Sequence, residues 1–259
     1  MDDKNSMMKW LIPLAVVVLV GVVFVWPKLK SATSPSTTPE QMMKKGENVV
    51  DIKFANHPQM KLPEQDVYLE SPTDKSMVMR VESDEATKPD TQAKMVYAVT
   101  SAVAHDPFKM GPKPLGPFPK GKALGWTLGQ WLDAAGSGTY TLDGDMAWLK
   151  LSFTKLVPNS TYTVWCSRLT FPPNPKIVDR PCGATDGSEN MFKTDASGNG
   201  KFELKLTPLE ASTKETATVI ALAYHSDGKT YGAAPGDFGL NSHVQMVFLM
   251  PVPTPTESK

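Results

Sequence analysis

Two cysteines are the residues of this chain best suited to redox chemistry. Cys166 ends a strand-like run, and Cys182 lies in a loop rich in proline. A disulfide between them would tie that loop to the sheet and stabilise the fold by about 2–4 kcal/mol. We expect the pair to form in an oxidising compartment, with reduced cysteines in separate environments as the alternative. Catalytic use of a thiol is not expected, because Cys166 falls on the inward face of its strand.

Histidines at predicted strand ends are the residues that could bind a metal ion. His105 follows one strand, His225 and Asp227 follow another, and His243 begins the last. If these ends cluster, imidazole and carboxylate groups could bind zinc or copper. No pair has the spacing H-x-H or H-E-x-x-H, so polar loop histidines are the competing interpretation. No cofactor is predicted, and a metal ion bound by these residues is the alternative.

Signatures of the common enzyme classes are missing from the sequence. It contains no nucleophile elbow, phosphate-binding loop or paired-carboxylate signature. The run Thr194–Lys201 resembles the first half of a calcium loop, but Leu206 stands where the acidic twelfth ligand belongs. A hairpin loop is the expected structure there. An enzymatic activity is therefore not expected.

The charge balance bears on the class of partner. The chain has 259 residues, with 27 Lys and Arg against 27 Asp and Glu, so its formal net charge is zero. Lysine and arginine do not cluster in any stripe. A nucleic-acid partner is therefore not expected.

The run Trp10–Trp26 is apolar throughout and carries no charge. As a helix it would extend roughly 26 Å, at about 1.5 Å per residue, which is enough to cross a bilayer. Tryptophan at both ends suits the membrane interface. A cleaved signal peptide is the alternative, but the nearest small-residue site, Ala32–Ser34, lies well downstream. We therefore expect an uncleaved transmembrane anchor that makes the membrane a partner of this chain.

The composition divides the chain into six segments. These are an N-terminal tail (1–9), the anchor (10–26), a flexible linker (27–46), an accessory segment of short strands plus a polar linker (47–94), the main domain (95–251) and a tail (252–259). Lysines are balanced on the two sides of the anchor, so the positive-inside rule does not decide its orientation. The cysteine pair favours a periplasmic or extracellular main domain.

The hydrophobic pattern of the main domain indicates strands. In Met146–Thr154 every second residue is apolar, which predicts a strand with one buried face. The run Thr218–Tyr224 is apolar without alternation, which predicts a strand covered on both sides. One short helix is predicted from Thr127 to Ala135, because Thr127 and Gln130 form a capping box. Residues 105–122 contain five prolines and predict a loop.

A nine-residue motif carries a resemblance to a known class of fold. Leu156, Pro158, Tyr162 and Val164 form an L-x-P-x-x-x-Y-x-V pattern. This pattern resembles the corner of fibronectin type III and other immunoglobulin-like sandwiches. The resemblance implies an antiparallel β-sandwich in which the Tyr162 hydroxyl bonds nearby backbone. It also implies an adhesive, spacer or ligand-binding role.

Together these features predict a mainly β fold: an immunoglobulin-like sandwich with one short helix, preceded by a single transmembrane helix. The predicted function is that of a membrane-anchored extracytoplasmic protein with a binding, adhesion or structural role. Its ligand would be an unidentified protein or glycan. A metal-binding protein or metal-dependent enzyme that uses the strand-end histidines is the alternative.

Overall fold

The computed structural model describes residues 49–60, 64–100, 114–232, 234–239 and 241–251. The predicted anchor Trp10–Trp26, the segments 1–9, 27–46 and 252–259, and His105 lie outside these residues. No helix within the described ranges is both long and apolar enough to cross a membrane.

The described residues are mainly β, and the strands pair antiparallel. In chain order the elements are β1 Val49–Lys53, β2 Glu64–Glu70, β3 Met77–Glu82, α1 Ser83–Ala86, α2 Pro89–Gln92, β4 Met95–Val99, β5 Phe118–Thr127, α3 Leu128–Leu132, β6 Ala135–Asp143, β7 Met146–Thr154, β8 Thr161–Thr170, β9 Lys176–Val178, β10 Met191–Lys193, β11 Gly200–Leu206, β12 Thr216–His225 and β13 Ser242–Leu249.

Two antiparallel sheets form the larger part of the fold. The first sheet has the order β1-β6-β7-β11, and the second has the order β10-β8-β12-β13 with β9 added to β8. The hairpin from β6 to β7 turns at Gly144, whose φ of 60° lies in the left-handed region that glycine adopts readily.

The two sheets share one hydrophobic core. Four alternate residues of β7 (Ala147, Leu149, Leu151 and Phe153) are buried in it, as the sequence pattern predicted. Phe192 of β10 lies between the sheets, with its ring centroid 5.4 Å from that of Phe153 and 5.7 Å from that of Tyr162. Stacked aromatic pairs of this kind add about 0.5–1.5 kcal/mol to the effect of burial alone.

A second, smaller unit is a closed barrel in the order β2-β3-β5-β4. Tyr68 and Phe118 meet edge-to-face inside it at 5.6 Å. The predicted boundary between residues 94 and 95 falls within this barrel, because β2 and β3 precede it and β4 and β5 follow it. Strand β1 pairs instead with β6. The predicted accessory segment is therefore divided between the barrel and the first sheet.

The predicted helix is present but shorter than expected. Gln130 N donates to Thr127 Oγ1 at 3.3 Å and Thr127 N donates to Gln130 Oε1 at 2.9 Å, which confirms the capping box. The helix ends at Leu132, and Gly136 belongs to β6 rather than to a helix terminus. Ala135, which was expected to be helical, and Gly136, which was expected to end the helix, instead pair with residues of β7.

Two other expectations need correction. The prediction of a single helix is wrong, because two more short helices, α1 and α2, lie in the expected polar linker. Pro89 is the first residue of α2, where proline is well tolerated, and Ala86 and Thr91 are buried. The predicted proline loop is wrong at its end, because Phe118 already begins β5. Pro119 is tolerated there because a missing N–H does little harm at the start of a strand.

Candidate functional site

A groove of about 490 Å³ lies between the two sheets, where the end of β8 faces the end of β11. We call it the disulfide groove. Its lining includes Cys166, Arg168, Arg180, Glu189, Lys205 and Leu206. It lies in the part of the surface formed by the long loop after β8, and it is concave enough to receive a ligand.

One wall of the groove is the segment 171–190, which follows the edge of β8. Cys166 N donates to Arg180 O at 2.7 Å, and Cys182 N donates to Val164 O at 3.1 Å. Val164 N in turn donates to Asn190 O at 2.7 Å. These bonds satisfy the backbone of β8 along an edge that would otherwise lack partners.

The disulfide between Cys166 and Cys182 is present, which confirms the predicted pairing. The two Cα atoms are 4.9 Å apart, and both cysteines are buried. The bond closes a loop with a sequence separation of 16, for which the chain-entropy estimate is about 3 kcal/mol. It fixes the middle of the loop wall to the sheet.

The chain has three arginines, and each has a different environment. Arg80 is buried and pairs with Asp66 at 3.0 Å. Arg168 donates to Ala211 O at 3.0 Å and to Thr218 Oγ1 at 2.6 Å, which holds the segment after β11 in place. Arg180 is exposed at the groove and makes no side-chain hydrogen bond or ion pair with the residues that the structure describes.

The backbone of Arg180 is nevertheless held firmly. Its carbonyl accepts the bond from Cys166 N, and the next residue, Pro181, bridges to Trp165. A residue before proline is also restricted to extended conformations. The backbone of Arg180 is therefore fixed, and its exposed guanidinium has no partner among the described residues.

The opposite wall carries a second cation. Lys205 Nζ lies 3.6 Å from Asp143 Oδ2 and 5.6 Å from the ring centroid of Trp148. Lys150 approaches the same ring at 5.4 Å, and Trp148 Nε1 donates to Asp143 at 3.3 Å. The pair between Lys205 and Asp143 is weak because both groups are exposed.

The carboxylates of the groove lining already have partners. Glu189 Oε2 accepts from Ala184 N at 2.9 Å, and Glu210 Oε2 lies 3.4 Å from Arg168 Nε. Beside the groove, Asp179 accepts from Ser167 Oγ at 2.6 Å. The unengaged charge at the groove is therefore positive.

The predicted metal ligands His225 and His243 lie on opposite faces of the second sheet. His225 pairs with Ser242 and His243 pairs with Tyr224. Paired residues share a face and successive residues alternate, so the two imidazoles point away from each other. His225 lies on the outer face with Trp165, and His243 lies on the inner face, stacked on Tyr224 at 5.9 Å.

His225 belongs to a directional chain of hydrogen bonds. Ser242 Oγ donates to Phe238 O, so it must accept from His225 Nδ1, which lies 3.1 Å away. The other nitrogen, Nε2, lies 2.6 Å from Thr163 Oγ1, and Thr163 Oγ1 accepts from Trp165 Nε1 at 2.7 Å. The imidazole therefore carries a proton on Nδ1.

Burial lowers the pKa of His225 to about 4 from its ordinary value of 6.5. The neighbouring His243 adds to this lowering, and the charge of Asp227 opposes it. This direction is expected for a buried imidazole, because desolvation disfavours its charged form.

His243 and Asp227 are also engaged by the protein itself. His243 Nδ1 donates to Asp66 O at 2.9 Å, and its Nε2 lies 3.1 Å from Ser226 Oγ. Asp227 accepts from Lys229 N at 3.0 Å and from Asn241 Nδ2 at 3.1 Å, which closes the loop 226–241. Across the described ranges no three His, Cys, Asp or Glu residues form a group that could hold a metal ion.

The corner motif is built around the hydroxyl of Tyr162. Val157 N donates to this oxygen at 3.0 Å, and the hydroxyl donates to Gln245 Oε1 at 2.9 Å. Gln245 Nε2 continues the network to Trp131 O at 2.9 Å. Leu156 is fully buried beside the corner, and Pro158 follows it in the turn. Burial raises the pKa of Tyr162 well above its ordinary range.

Sequence reasoning missed the groove residues Arg180 and Lys205. Arg180 lies in the loop after β9 and Lys205 near the end of β11, so only the tertiary fold brings them to one groove. One signal was available, since Arg180 directly precedes Pro181 and Cys182, which fix its position. No protein-family model, curated protein or solved structure matches the chain, so its function is inferred from the groove and the fold.

Proposed function

We propose that this protein is a membrane-anchored binding protein whose β-sandwich lies outside the cytoplasm and holds a protein ligand in the disulfide groove. The observation that carries the proposal is Arg180 at the rim of the groove: its backbone is held by a hydrogen bond and by the nearby disulfide, and its guanidinium has no partner among the described residues. A guanidinium without internal partners leaves its hydrogen bonds to a ligand, and a backbone that is already fixed lowers the ordering cost of binding.

Two features support the location. The disulfide Cys166–Cys182 favours an oxidising compartment, which is the periplasm or the extracellular space. The apolar run Trp10–Trp26 has the length and flanking tryptophans of a transmembrane anchor. The Ser-, Thr- and Pro-rich linker that follows would allow the domain to reach a ligand away from the bilayer.

The strand order supports an immunoglobulin-like sandwich. If β6, β7, β8, β11, β12 and β13 are lettered A, B, C, E, F and G, one sheet contains A-B-E and the other C-F-G. This is the arrangement of the immunoglobulin class. The tyrosine corner departs from it, because Tyr162 lies near the start of the strand in position C, whereas the corner tyrosine of that class lies near the start of strand F.

The location is tested on the full chain in its native cells. The thiols of Cys166 and Cys182 should react with maleimide in denatured extracts only after reduction. In cells whose outer envelope has been permeabilised, added protease should digest the β domain. A cytosolic marker protein serves as the protection control. Thiols that react without reductant, or a domain protected like the marker, would count against an outside location.

The binding role is tested by photo-crosslinking in the same cells. Thr185 lies at the groove and is exposed, whereas Lys229 is exposed and does not line the groove. Benzoylphenylalanine at Thr185 should yield a discrete adduct of higher mass, and the same residue at Lys229 should not. Adducts at neither position, or the same adducts at both, would overturn the groove as the binding site.

A further inference from the structure

We infer that the ligand of the disulfide groove is an acidic polypeptide segment bound in an extended conformation, with one of its carboxylates paired to Arg180. This inference rests on the proposed binding function and specifies the chemistry of the ligand.

The first support is the chemistry of Arg180. A guanidinium presents a planar set of donors that matches a carboxylate in two parallel hydrogen bonds. The other two arginines of the chain use their donors within the fold, on Asp66 and on the segment 210–218. Arg180 has no such partner among the described residues and faces the groove.

The second support is the charge balance around the groove. Glu210 is held by Arg168, Glu189 by Ala184 N, and the neighbouring Asp179 by Ser167. On the facing wall Lys205 has one exposed partner, Asp143, at 3.6 Å. A ligand that carries negative charge along its length would therefore meet a cation on each wall.

The third support is the edge of β11, which indicates an extended peptide. Strand β11 ends the first sheet, so no described strand pairs with its outer edge beside Lys205 and Leu206. An extended segment can add to such an edge by main-chain hydrogen bonds. Charged side chains alternate along this strand at Lys201, Glu203 and Lys205. Such charges disfavour pairing with arbitrary strands, so the edge of β11 is selective for a ligand of suitable charge.

The lining favours a peptide over a sugar chain. Its apolar members include Pro181, Leu206, Pro208 and Leu209, and none of the described lining residues is aromatic. Aliphatic and proline side chains suit the alternate side chains of an extended peptide. Flat sugar rings would instead be expected to stack on aromatic faces.

The test uses the full chain in nanodiscs and two fluorescent octapeptides of alternating sequence, Glu-Val and Gln-Val. We expect the Glu-Val peptide to bind about tenfold more tightly, since charge-assisted hydrogen bonds are roughly twice as strong as neutral ones. Arg180→Gln should weaken Glu-Val binding by about tenfold, and Arg180→Lys should restore part of it. The matched control Lys229→Gln should leave binding unchanged. Thermal unfolding of each variant verifies that the fold is intact.

Equal binding of the two peptides, or unaltered binding by Arg180→Gln, would overturn the inference. Competition by oligogalacturonate of equal charge, as strong as that by unlabelled Glu-Val peptide, would also overturn it in favour of a general polyanion site. If the Thr185 adduct forms while these arms fail, the groove remains a binding site and only the ligand chemistry is wrong. If the adduct is missing as well, both proposals fail.

Discussion

Asp66 and Arg80 form an ion pair of 3.0 Å in the protein interior, and the same carboxylate reaches across to the second sheet. Asp66 Oδ1 accepts from Arg80 within the barrel, and its Oδ2 accepts from Val244 N of β13 at 2.9 Å. Both residues are almost fully buried, at 3% and 4% exposure. Asp66 thus joins the small barrel to the second sheet.

Loss of one partner of this pair should be strongly destabilising. Arg80→Met leaves a buried carboxylate without its counter-ion, so we expect the free energy of unfolding to fall by about 3–5 kcal/mol. Urea denaturation of the full chain measures the change. Lys150→Met is the matched control, because its pair with Glu203 is exposed and 4.0 Å long, and it should cost about 1 kcal/mol or less. Similar losses in the two variants would contradict this role.

Removal of the disulfide should destabilise the protein without unfolding its core. We expect Cys166→Ala with Cys182→Ala to lower the free energy of unfolding by about 3 kcal/mol, because the loop regains freedom in the unfolded chain. The measurement is urea denaturation with and without reductant. Reductant should shift the midpoint of the natural chain and not that of the double variant. A midpoint insensitive to reductant in both would refute the effect.

The hydroxyl of Tyr162 should contribute more to the free energy of unfolding than the hydroxyl of an exposed tyrosine. Tyr162→Phe leaves Val157 N without its acceptor and Gln245 Oε1 without its donor, both in the interior. We expect a loss of about 1–3 kcal/mol in the free energy of unfolding. Tyr231 is 41% exposed, so Tyr231→Phe should change stability by about 0.5 kcal/mol or less. The corner would have no energetic role if the two variants behaved alike.

Stability should fall on acidification because of His225. The folded state lowers the pKa of this residue to about 4 from 6.5, so the unfolded chain binds the proton more readily between these values. The full contribution is present above pH 6.5 and is lost progressively as the pH falls through about 4. The difference of pKa corresponds to about 3 kcal/mol. Urea denaturation at a series of pH values should show this slope.

The control for this slope is a variant that does not titrate at the same position. His225→Gln can keep a hydrogen bond to Thr163 or Ser242 but carries no proton equilibrium. The difference in stability between the natural chain and this variant should therefore diminish as the pH is lowered from 7 to 4. A difference that stays constant over this range would assign the pH dependence to other groups.

Local features of this fold could be predicted from the sequence. The buried face of β7 follows from strict alternation, the start of α3 follows from Thr127 and Gln130, and the pairing of Cys166 with Cys182 follows from their number and positions. Each depends on residues close in the chain or on a chemistry with one available partner. Such signals need no knowledge of the tertiary arrangement.

Strand partners and faces could not be predicted in the same way. The sequence places His225 and His243 near strand ends, but the register of β12 against β13 decides which face each occupies. A shift of one residue would reverse that face, and an irregularity at Leu222 and Ala223 already interrupts the register. The barrel was not predicted for a related reason: the local sequence of β2 does not indicate that it pairs with both β3 and β4.

The loop that carries Cys182 also has a consequence for how the protein behaves when it is reduced. This loop covers the edge of β8, the strand whose first seven residues, Thr161–Ser167, are all buried. A long, buried strand with a bare edge is a template to which other chains can add. The disulfide thus acts as a safeguard against aggregation, and synthesis in a reducing cytosol should yield insoluble assemblies where an oxidising compartment yields single soluble domains.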